Sequence, residues 1–237
     1  MNANARVHTY WRVVTAAVVS LVLAVLTEEV LTSGPITILD ADVARWLHHH
    51  TGRYRLVATL AESVTRIATP QWTIAASLVL AGAMSRYARS WNPFRRMLVA
   101  IVVLAVSVLG MKTVIGRPGP YKPAATGYFP SGHTTTAIVC AGTLLLLAHQ
   151  QWPRLRSAHA VGVTATWGLL VGWAMTWRSY HWLSDVIAAW CLGTLILLAL
   201  LRGHRQRSRG TTEQPGVNRA ASSRAGECFA AAPRREA

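Results

Sequence analysis

Residues 130–149, PSGHTTTAIVCAGTLLLLAH, join a polar turn directly to a long apolar run. Ser131 is a residue type that is favoured at the N-cap of a helix, and the apolar run follows almost at once. The run from His133 to His149 approaches the length that crosses a bilayer, about 20 residues. The stretch therefore predicts a membrane helix whose start carries a serine and a histidine.

Five other apolar segments of similar character occur along the chain of 237 residues. Hydrophobic residues make up 52% of the chain and charged residues only 14%, whereas a soluble domain has about 25% charged residues. Glu28 and Glu29 follow the long apolar stretch of the first segment in place of a small-residue cleavage site, which argues against a signal peptide. We predict an all-α, polytopic membrane protein with six transmembrane helices in a bundle, at residues 11–31, 71–84, 94–110, 133–149, 158–177 and 183–201.

The charges are strongly one-sided, with 24 Lys and Arg against 9 Asp and Glu. The arginines cluster between the apolar segments, which is the pattern of membrane topology and not of a nucleic-acid-binding face. With six spans the clusters at 6–12, 86–96, 154–156 and 202–209 fall on one side, and the positive-inside rule makes that side cytoplasmic. We therefore predict a multi-pass protein of the plasma membrane with both termini inside and no nucleic acid partner. The loops 33–70, 111–132 and 178–184 then lie outside. Four arginines fall on this other side against the bias, partly offset by Asp40, Asp42 and Glu62, and they are Arg45, Arg53, Arg55 and Arg66.

Two regions depart from the spanning pattern. Residues 39–47 have helical apolar spacing beside charged residues, which predicts an interfacial amphipathic helix between the first and second spans, or else a solvated surface helix. From residue 203 onward arginine, serine, alanine and glycine dominate. We therefore predict an integral membrane domain at 1–202 and a disordered basic cytoplasmic tail at 203–237. The histidines at 48–50 have no carboxylate or cysteine partner at ligand spacing, and neither a metal site nor a cofactor is predicted.

The predicted outer loops carry two stretches that suit a phosphate group. Lys112 and Arg117 stand at the outer end of the third segment, where they are either snorkelling cations or part of a shaped loop. Ser131, Gly132 and His133 open the fourth segment, where a helix N-terminus stabilises an anion and a glycine lets the backbone approach it. The alternative for this second stretch is an ordinary helix cap with an interfacial histidine.

A third stretch supplies candidate catalytic groups, His181 and Asp185. Their spacing of four residues predicts that both lie on one face of a helix. Asp185 can accept a hydrogen bond from one ring nitrogen and leave the other nitrogen free as a nucleophile or base. A carboxylate at the start of a membrane helix is costly without a partner, which favours a functional pair over a purely structural one.

The order and placement of the three stretches resemble the type-2 phosphatidic acid phosphatase superfamily of membrane lipid phosphatases. Ser131, Gly132 and His133 match the second motif of that superfamily, and His181 with Asp185 matches its third motif. The resemblance runs from the second segment through the sixth.

The two arginines of the superfamily's motifs are displaced in this chain. Gly119 and Met175 occupy the positions at which the first and third motifs have arginine. Arg117 and Arg178 are the substitutes that we expect to bind phosphate, and Lys122 is a further candidate.

The resemblance implies metal-independent hydrolysis of a lipid phosphate or pyrophosphate on the extracytoplasmic face. His181 would attack phosphorus and form a phosphohistidine while Asp185 orients its ring, and His133 would protonate the leaving oxygen. The substrate would be a lipid of the bilayer, with a polyprenyl pyrophosphate such as undecaprenyl pyrophosphate preferred over phosphatidic acid. The phosphate-binding residues on this interpretation are Lys112, Arg117, Ser131, Gly132 and Arg178.

Two alternatives stay open from the sequence. A lipid phosphotransferase of the same superfamily would use the same histidines. A non-catalytic lipid-binding or transport protein would account for the displaced arginines. A transporter, however, is expected to have polar groups near the bilayer midplane, whereas the charges of this chain stand at the ends of its apolar segments.

Overall fold

The computed structural model describes residues 3–122, 124–152 and 154–210, and within these ranges the chain forms eight helices and no strand. The predicted all-α class is confirmed. The helices are α1 (Ala3–Leu31), α2 (Pro35–Thr51), α3 (Arg55–Ile67), α4 (Pro70–Tyr87), α5 (Asn92–Ile115), α6 (Gly132–Gln151), α7 (Ser157–Trp177) and α8 (Leu183–Gly210).

Five of these helices are long and apolar enough to cross a membrane by themselves, namely α1, α5, α6, α7 and α8. The second predicted span lies in α4, which meets the same criterion only together with α3, from which it is bent by 52°. Each of the six predicted segments thus falls within a helix. The prediction of a polytopic membrane protein is confirmed, with five candidate spans or with six when α3 and α4 form one.

Proline and glycine set several of the helix boundaries. Pro35 and Pro70 stand in the first turns of α2 and α4, where the missing N–H of proline would have no intrahelical partner in any case. α5 ends at Gly116, whose φ of 59° is left-handed and whose N–H donates to the carbonyl of Lys112 at 3.1 Å. This stop leaves Lys112 in the last turn of α5 and directs the chain into the loop that carries Arg117.

The centre of the bundle is formed by α6, α7 and α8. α6 is the most buried of the candidate spans and packs against α4, α5 and α7. A Cβ atom on Gly172 of α7 would lie 2.6 Å from Val186 Cγ1 of α8, and one on Gly193 of α8 would lie 2.9 Å from Ile138 Cγ2 of α6. Small residues at such crossings let membrane helices approach closely, so these glycines fix how the ends of the three helices meet.

Two helices, α2 and α3, connect α1 to α4, and both contact α7. α2 contains the predicted amphipathic segment 39–47, and its buried residues Asp40, Ala44 and Leu47 follow helical spacing along one face. The location of α2 at the membrane interface stays a prediction.

The helical body extends to Leu198, and a separate C-terminal unit begins at Ala199. Residues 199–210 of this unit are helical as the last part of α8. Most of the predicted tail, residues 211–237, lies outside the described residues, so the domain division and the disorder of the tail stay predictions.

Candidate active site

The three sequence stretches come together at one end of the bundle. The C-terminal end of α5 meets the N-terminal end of α6, because Lys112 Cε would lie 3.8 Å from a Cβ atom on Gly132. The start of α6 meets the start of α8, because the N–H of Ser131 donates to the carbonyl of Asp185 at 3.1 Å. Consecutive helices of opposite direction therefore place the predicted motifs beside one another.

A pocket of about 790 Å³ opens at this end of the molecule. Two predicted catalytic residues, His133 and His181, line the same pocket. Among the described residues, its lining includes no Asp or Glu. The basic residues along its walls are His48, Arg66, Lys122, His133, Arg178 and His181.

His181 and Asp185 form a buried pair beside the pocket. His181 is 9% exposed and Asp185 fully buried, and Nδ1 of the ring lies 3.2 Å from Oδ2 of the carboxylate. The same oxygen accepts the N–H of Trp182 at 3.1 Å. With its proton on Nδ1, the imidazole keeps a lone pair on Nε2, which is the atom available to react.

The contact between His181 and Asp185 arises from a different local geometry from the shared helical face that the sequence predicted. His181 lies two residues before α8 begins at Leu183, so the two residues do not share a helical face. Instead Asp185 stands in the first turn of α8 and accepts the N–H of Trp182 at the helix start, as the acidic residue of a capping box does. One carboxylate therefore caps the helix and orients the histidine.

Arg117 lies inside the protein with 7% exposure and has carboxylates on two sides. Its Nη1 donates to Asp185 Oδ1 at 2.5 Å and to Ser184 Oγ at 2.7 Å, and its Nη2 donates to Asp40 Oδ2 at 2.6 Å. Arg117 is not among the residues that line the pocket. The arginine expected to bind phosphate thus has both terminal nitrogens on protein acceptors.

Asp40 is a site residue that the sequence analysis did not identify. It is 2% exposed, and besides Arg117 it accepts the N–H of Ser184 at 2.9 Å. The signal was a carboxylate on the apolar face of a predicted amphipathic helix, in register with Ala44 and Leu47. A buried carboxylate requires a partner, but the pattern of α2 alone does not name it.

Three other predicted phosphate ligands lie next to the pocket without lining it. Lys112 is half-buried and donates from Nζ to the carbonyl of Gly127 in a short contact. Ser131 is the N-cap residue of α6 as expected, but its Oγ pairs with Thr134 Oγ1 at 3.2 Å and not with a backbone N–H. Gly132 begins α6, and its N–H is among those that a helix leaves without an intrahelical partner.

Arg178 lines the pocket and pairs with Glu62 of α3. Its Nε donates to Glu62 Oε2 at 3.1 Å, and the hydroxyl of Tyr180 donates to the same oxygen at 2.8 Å. Hydrogen bonding with Tyr180, aided by the charge of Glu62, raises the pKa of the Arg178 guanidinium. The cation therefore stays charged, and Glu62 is a second site residue that the sequence analysis missed.

The position of the displaced first-motif arginine is filled by an aromatic ring. Gly119 is buried, and a Cβ atom there would lie 2.5 Å from Cζ of Tyr128. The Tyr128 ring in turn lies 5.4 Å from the His181 ring, centroid to centroid. No arginine fits at residue 119 unless Tyr128 moves. The second displaced position, Met175, is 1% exposed and lines the pocket.

The fold and the site define the class of this protein: it is an all-helical membrane protein in which a carboxylate holds a histidine beside a basic pocket. Such a pocket suits anionic headgroups. Residues 93–209 match the family model described as the PAP2 superfamily. The crystal structure of a transmembrane PAP2-type phosphatidylglycerolphosphate phosphatase from Bacillus subtilis has the same fold. It is 18% identical, with a TM-score of 0.69, over 81% of this chain and 96% of that one. A comparison with curated proteins finds no match.

Proposed function

We propose that this protein hydrolyses a lipid phosphate or pyrophosphate through a phosphohistidine formed at His181. The observation that carries the proposal is the buried contact of His181 Nδ1 with Asp185 Oδ2, beside a pocket that His133 also lines. A histidine that is fixed in one tautomer by a carboxylate is an activated nucleophile. The match of residues 93–209 to the PAP2 superfamily supports lipid phosphatase activity in general.

The reaction has two displacement steps. In the first, the lone pair on His181 Nε2 attacks phosphorus, the bond from phosphorus to the lipid oxygen breaks, and protonated His133 gives its proton to that oxygen. In the second, neutral His133 takes a proton from water, the water oxygen attacks phosphorus, and the bond from phosphorus to Nε2 breaks. Inorganic phosphate leaves and both histidines return to their starting states.

The pocket's own cations would stabilise the charge on the transferred phosphoryl group, so the proposed reaction requires no metal ion. The phosphoryl oxygens carry this charge in a loose transition state, where positioned donors act most strongly. Arg178 and Lys122 are the ligands that line the pocket directly. We keep Lys112, Ser131 and the Gly132 amide as proposed ligands because they adjoin the pocket, whereas the terminal nitrogens of Arg117 are bound to protein acceptors.

We further propose that the pocket faces the extracytoplasmic side. The histidine end of the bundle contains the last turn of α5 and the first turns of α6 and α8. The opposite end carries arginine clusters at 86–96 and 154–156, and such clusters mark the cytoplasmic side. A lipid whose tail stays in the outer leaflet would present its phosphate at the histidine end of the bundle. Polyprenyl pyrophosphates and phosphatidic acid are the proposed substrate types.

The test is inorganic phosphate release by purified protein in detergent with EDTA present. The panel contains undecaprenyl pyrophosphate, phosphatidic acid and phosphatidylglycerolphosphate. We expect turnover of at least one lipid and loss of release to background in His181→Ala. The matched control is His159→Ala, an exposed histidine near the start of α7, which should behave as wild type. Acid-labile labelled phosphate on the protein should appear in wild type and not in His181→Ala.

Each unfavourable outcome has a distinct meaning. Activity retained in His181→Ala would remove this residue as the nucleophile. Activity that EDTA abolishes would contradict the metal-independent mechanism. No turnover of any lipid by wild type would favour the lipid-binding alternative over catalysis.

A further inference from the structure

Arg117 joins two buried carboxylates that come from opposite ends of the sequence. Asp40 belongs to α2 and Asp185 to α8, and they are 2% and 0% exposed. Ser184 of α8 joins Asp40 to Arg117 a second time, because its N–H and its hydroxyl both donate to Asp40 while its hydroxyl also accepts from Arg117. Asp40 lies outside residues 93–209, the part that matches the superfamily.

The charges of this cluster do not cancel without the histidine. Two carboxylates and one guanidinium leave a surplus of one negative charge, and this surplus lies where water does not screen it well. Asp185 Oδ1 is held by Arg117, so Oδ2 is the oxygen that faces His181. A positive charge on the His181 ring therefore completes a neutral group of four.

We propose that Asp40 and Arg117 are positioning residues that set the effective negative charge of Asp185 and hence the readiness of His181 to carry positive charge. This inference rests on the proposed function, in which the His181 ring becomes cationic when Nε2 binds phosphorus while Nδ1 keeps its proton. Arg117 fixes the orientation of the Asp185 carboxylate and moderates its charge. The negative charge of Asp40 offsets part of the positive charge of Arg117 and so restores part of the effective negative charge of Asp185.

The geometry supports a charge role over a packing role. Arg117 uses separate nitrogens for the two carboxylates, with Nη1 on Asp185 and Nη2 on Asp40, so neither carboxylate displaces the other. The guanidinium also lies over the Trp182 ring, with Cζ 5.2 Å from the ring centroid. The indole Nε1 in turn donates to the carbonyl of Pro118 at 2.8 Å. The cation is thus held from three sides in a fixed place.

The other charged or titratable groups of the pocket and its rim are the same in all of the variants compared below. They come from α2, α3, α5, α6, the end of α7 and the loop after α5, and they are His48, Glu62, Arg66, Lys112, Tyr121, Lys122, Tyr128, His133, Arg178 and Tyr180. Among these cations, Lys112 interacts electrostatically with Asp185. Because none of these groups is altered, a change in pH dependence reports on the buried cluster.

Two single variants should move the pH profile in opposite directions. Asp40→Asn removes the surplus negative charge, so the acid limb of log kcat/KM should shift to lower pH by about one unit. Arg117→Met doubles the surplus, so the same limb should shift to higher pH by a similar amount. The double variant Asp40→Asn/Arg117→Met has the wild-type surplus of one, and its limb should return close to the wild-type position. Asp42→Asn is the matched control, since this carboxylate lies two residues away on α2 but is exposed and paired with Arg45.

A purely structural role predicts a different result. Loss of packing would lower kcat/KM and the thermal midpoint in all three variants without opposite displacements of the limb, and that result would overturn the proposal. If Arg117→Met does not fold, Arg117→Lys keeps the charge and should leave the limb in place, while Asp40→Asn still lowers it. A limb that moves equally in Arg117→Lys and Asp40→Asn would also refute the proposal.

The same variants separate this inference from the proposed function. The protonation midpoint of His181 can be followed by NMR of histidine-labelled protein in detergent, with no substrate present. If wild type releases no phosphate from any lipid, the proposed function fails, yet the midpoint should still fall in Asp40→Asn and rise in Arg117→Met. If wild type is active and the midpoints do not differ, the inference fails and the function stands.

Discussion

Asp185→Asn is the substitution for which the structure gives the clearest expected effect. The change keeps the size of the side chain but replaces an acceptor-only carboxylate by an amide. In the native protein Oδ1 accepts from Arg117, and Oδ2 accepts from both Trp182 N–H and His181 Nδ1. An asparagine has one oxygen and one NH2 group, so it cannot accept at both ends in either orientation.

The consequence of each orientation can be estimated. With its oxygen on Arg117, the amide turns its NH2 group towards Nδ1, and the ring then carries its proton on Nε2 and loses the nucleophilic lone pair. The same exchange of tautomer in a serine protease lowers kcat about 10⁴-fold. In this orientation the NH2 group also faces the Trp182 N–H, which costs about 1–3 kcal/mol. With its NH2 group on Arg117, the amide leaves a charged buried donor without that acceptor, which costs more. We expect the first orientation to dominate and kcat to fall about 10³- to 10⁴-fold.

The assay is steady-state phosphate release from the best lipid of the panel, with the thermal midpoint of each variant measured in the same detergent. The amide also leaves the Trp182 N–H without an acceptor and removes the negative charge beside Arg117, so a lower midpoint is expected as well. The decisive quantity is kcat at a temperature where both proteins are folded. A folded Asp185→Asn protein with kcat within tenfold of wild type would refute the tautomer argument and with it the role of His181.

Two further predictions concern the pocket wall and the helix crossing. The substitution Glu62→Gln removes the charge that pairs with Arg178 and should free this arginine for anions. The inhibition constant of inorganic phosphate should fall up to about fivefold, because a partly exposed ion pair is worth about 0.2–1 kcal/mol. An unchanged or higher inhibition constant would show that Arg178 does not contact the phosphate. Gly172→Ala should lower the free energy of unfolding by about 1–3 kcal/mol, because the added Cβ overlaps Val186. The control is Gly162→Ala, where no atom lies within 4 Å of the added Cβ. This control should leave the thermal midpoint unchanged or slightly raised. Equal midpoints for the two glycine variants would contradict the close α7 to α8 crossing.

The membrane architecture was readable from the sequence because span length, composition and charge between spans are properties of consecutive residues. The segments 158–177 and 183–201 fall inside α7 and α8 almost to the residue. The break between α3 and α4 was not readable. The apolar run of α4 alone predicted a span, whereas the structure pairs it with a bent neighbour whose polar residues line the pocket.

The pairing of His181 with Asp185 was also predicted from local spacing, although its geometry was not. The sequence suggested a shared helical face, and the structure places His181 ahead of α8 with Asp185 at the helix start. Both arrangements bring the two side chains together, because a capping residue and a residue one turn away reach a similar distance. Local spacing therefore indicated the contact and left open which oxygen and which nitrogen take part.

What the sequence by itself determined was the all-helical membrane class of the protein and the contact of His181 with Asp185. Only the tertiary structure decided which carboxylates pair with the two arginines. Arg117 pairs with Asp40 across 77 residues, and Arg178 pairs with Glu62 across 116 residues. A charged side chain that leaves water takes whichever opposite charge the packing brings within reach. That choice depends on where α2 and α3 contact α7 and on how closely α7 and α8 cross, and no run of neighbouring residues contains it.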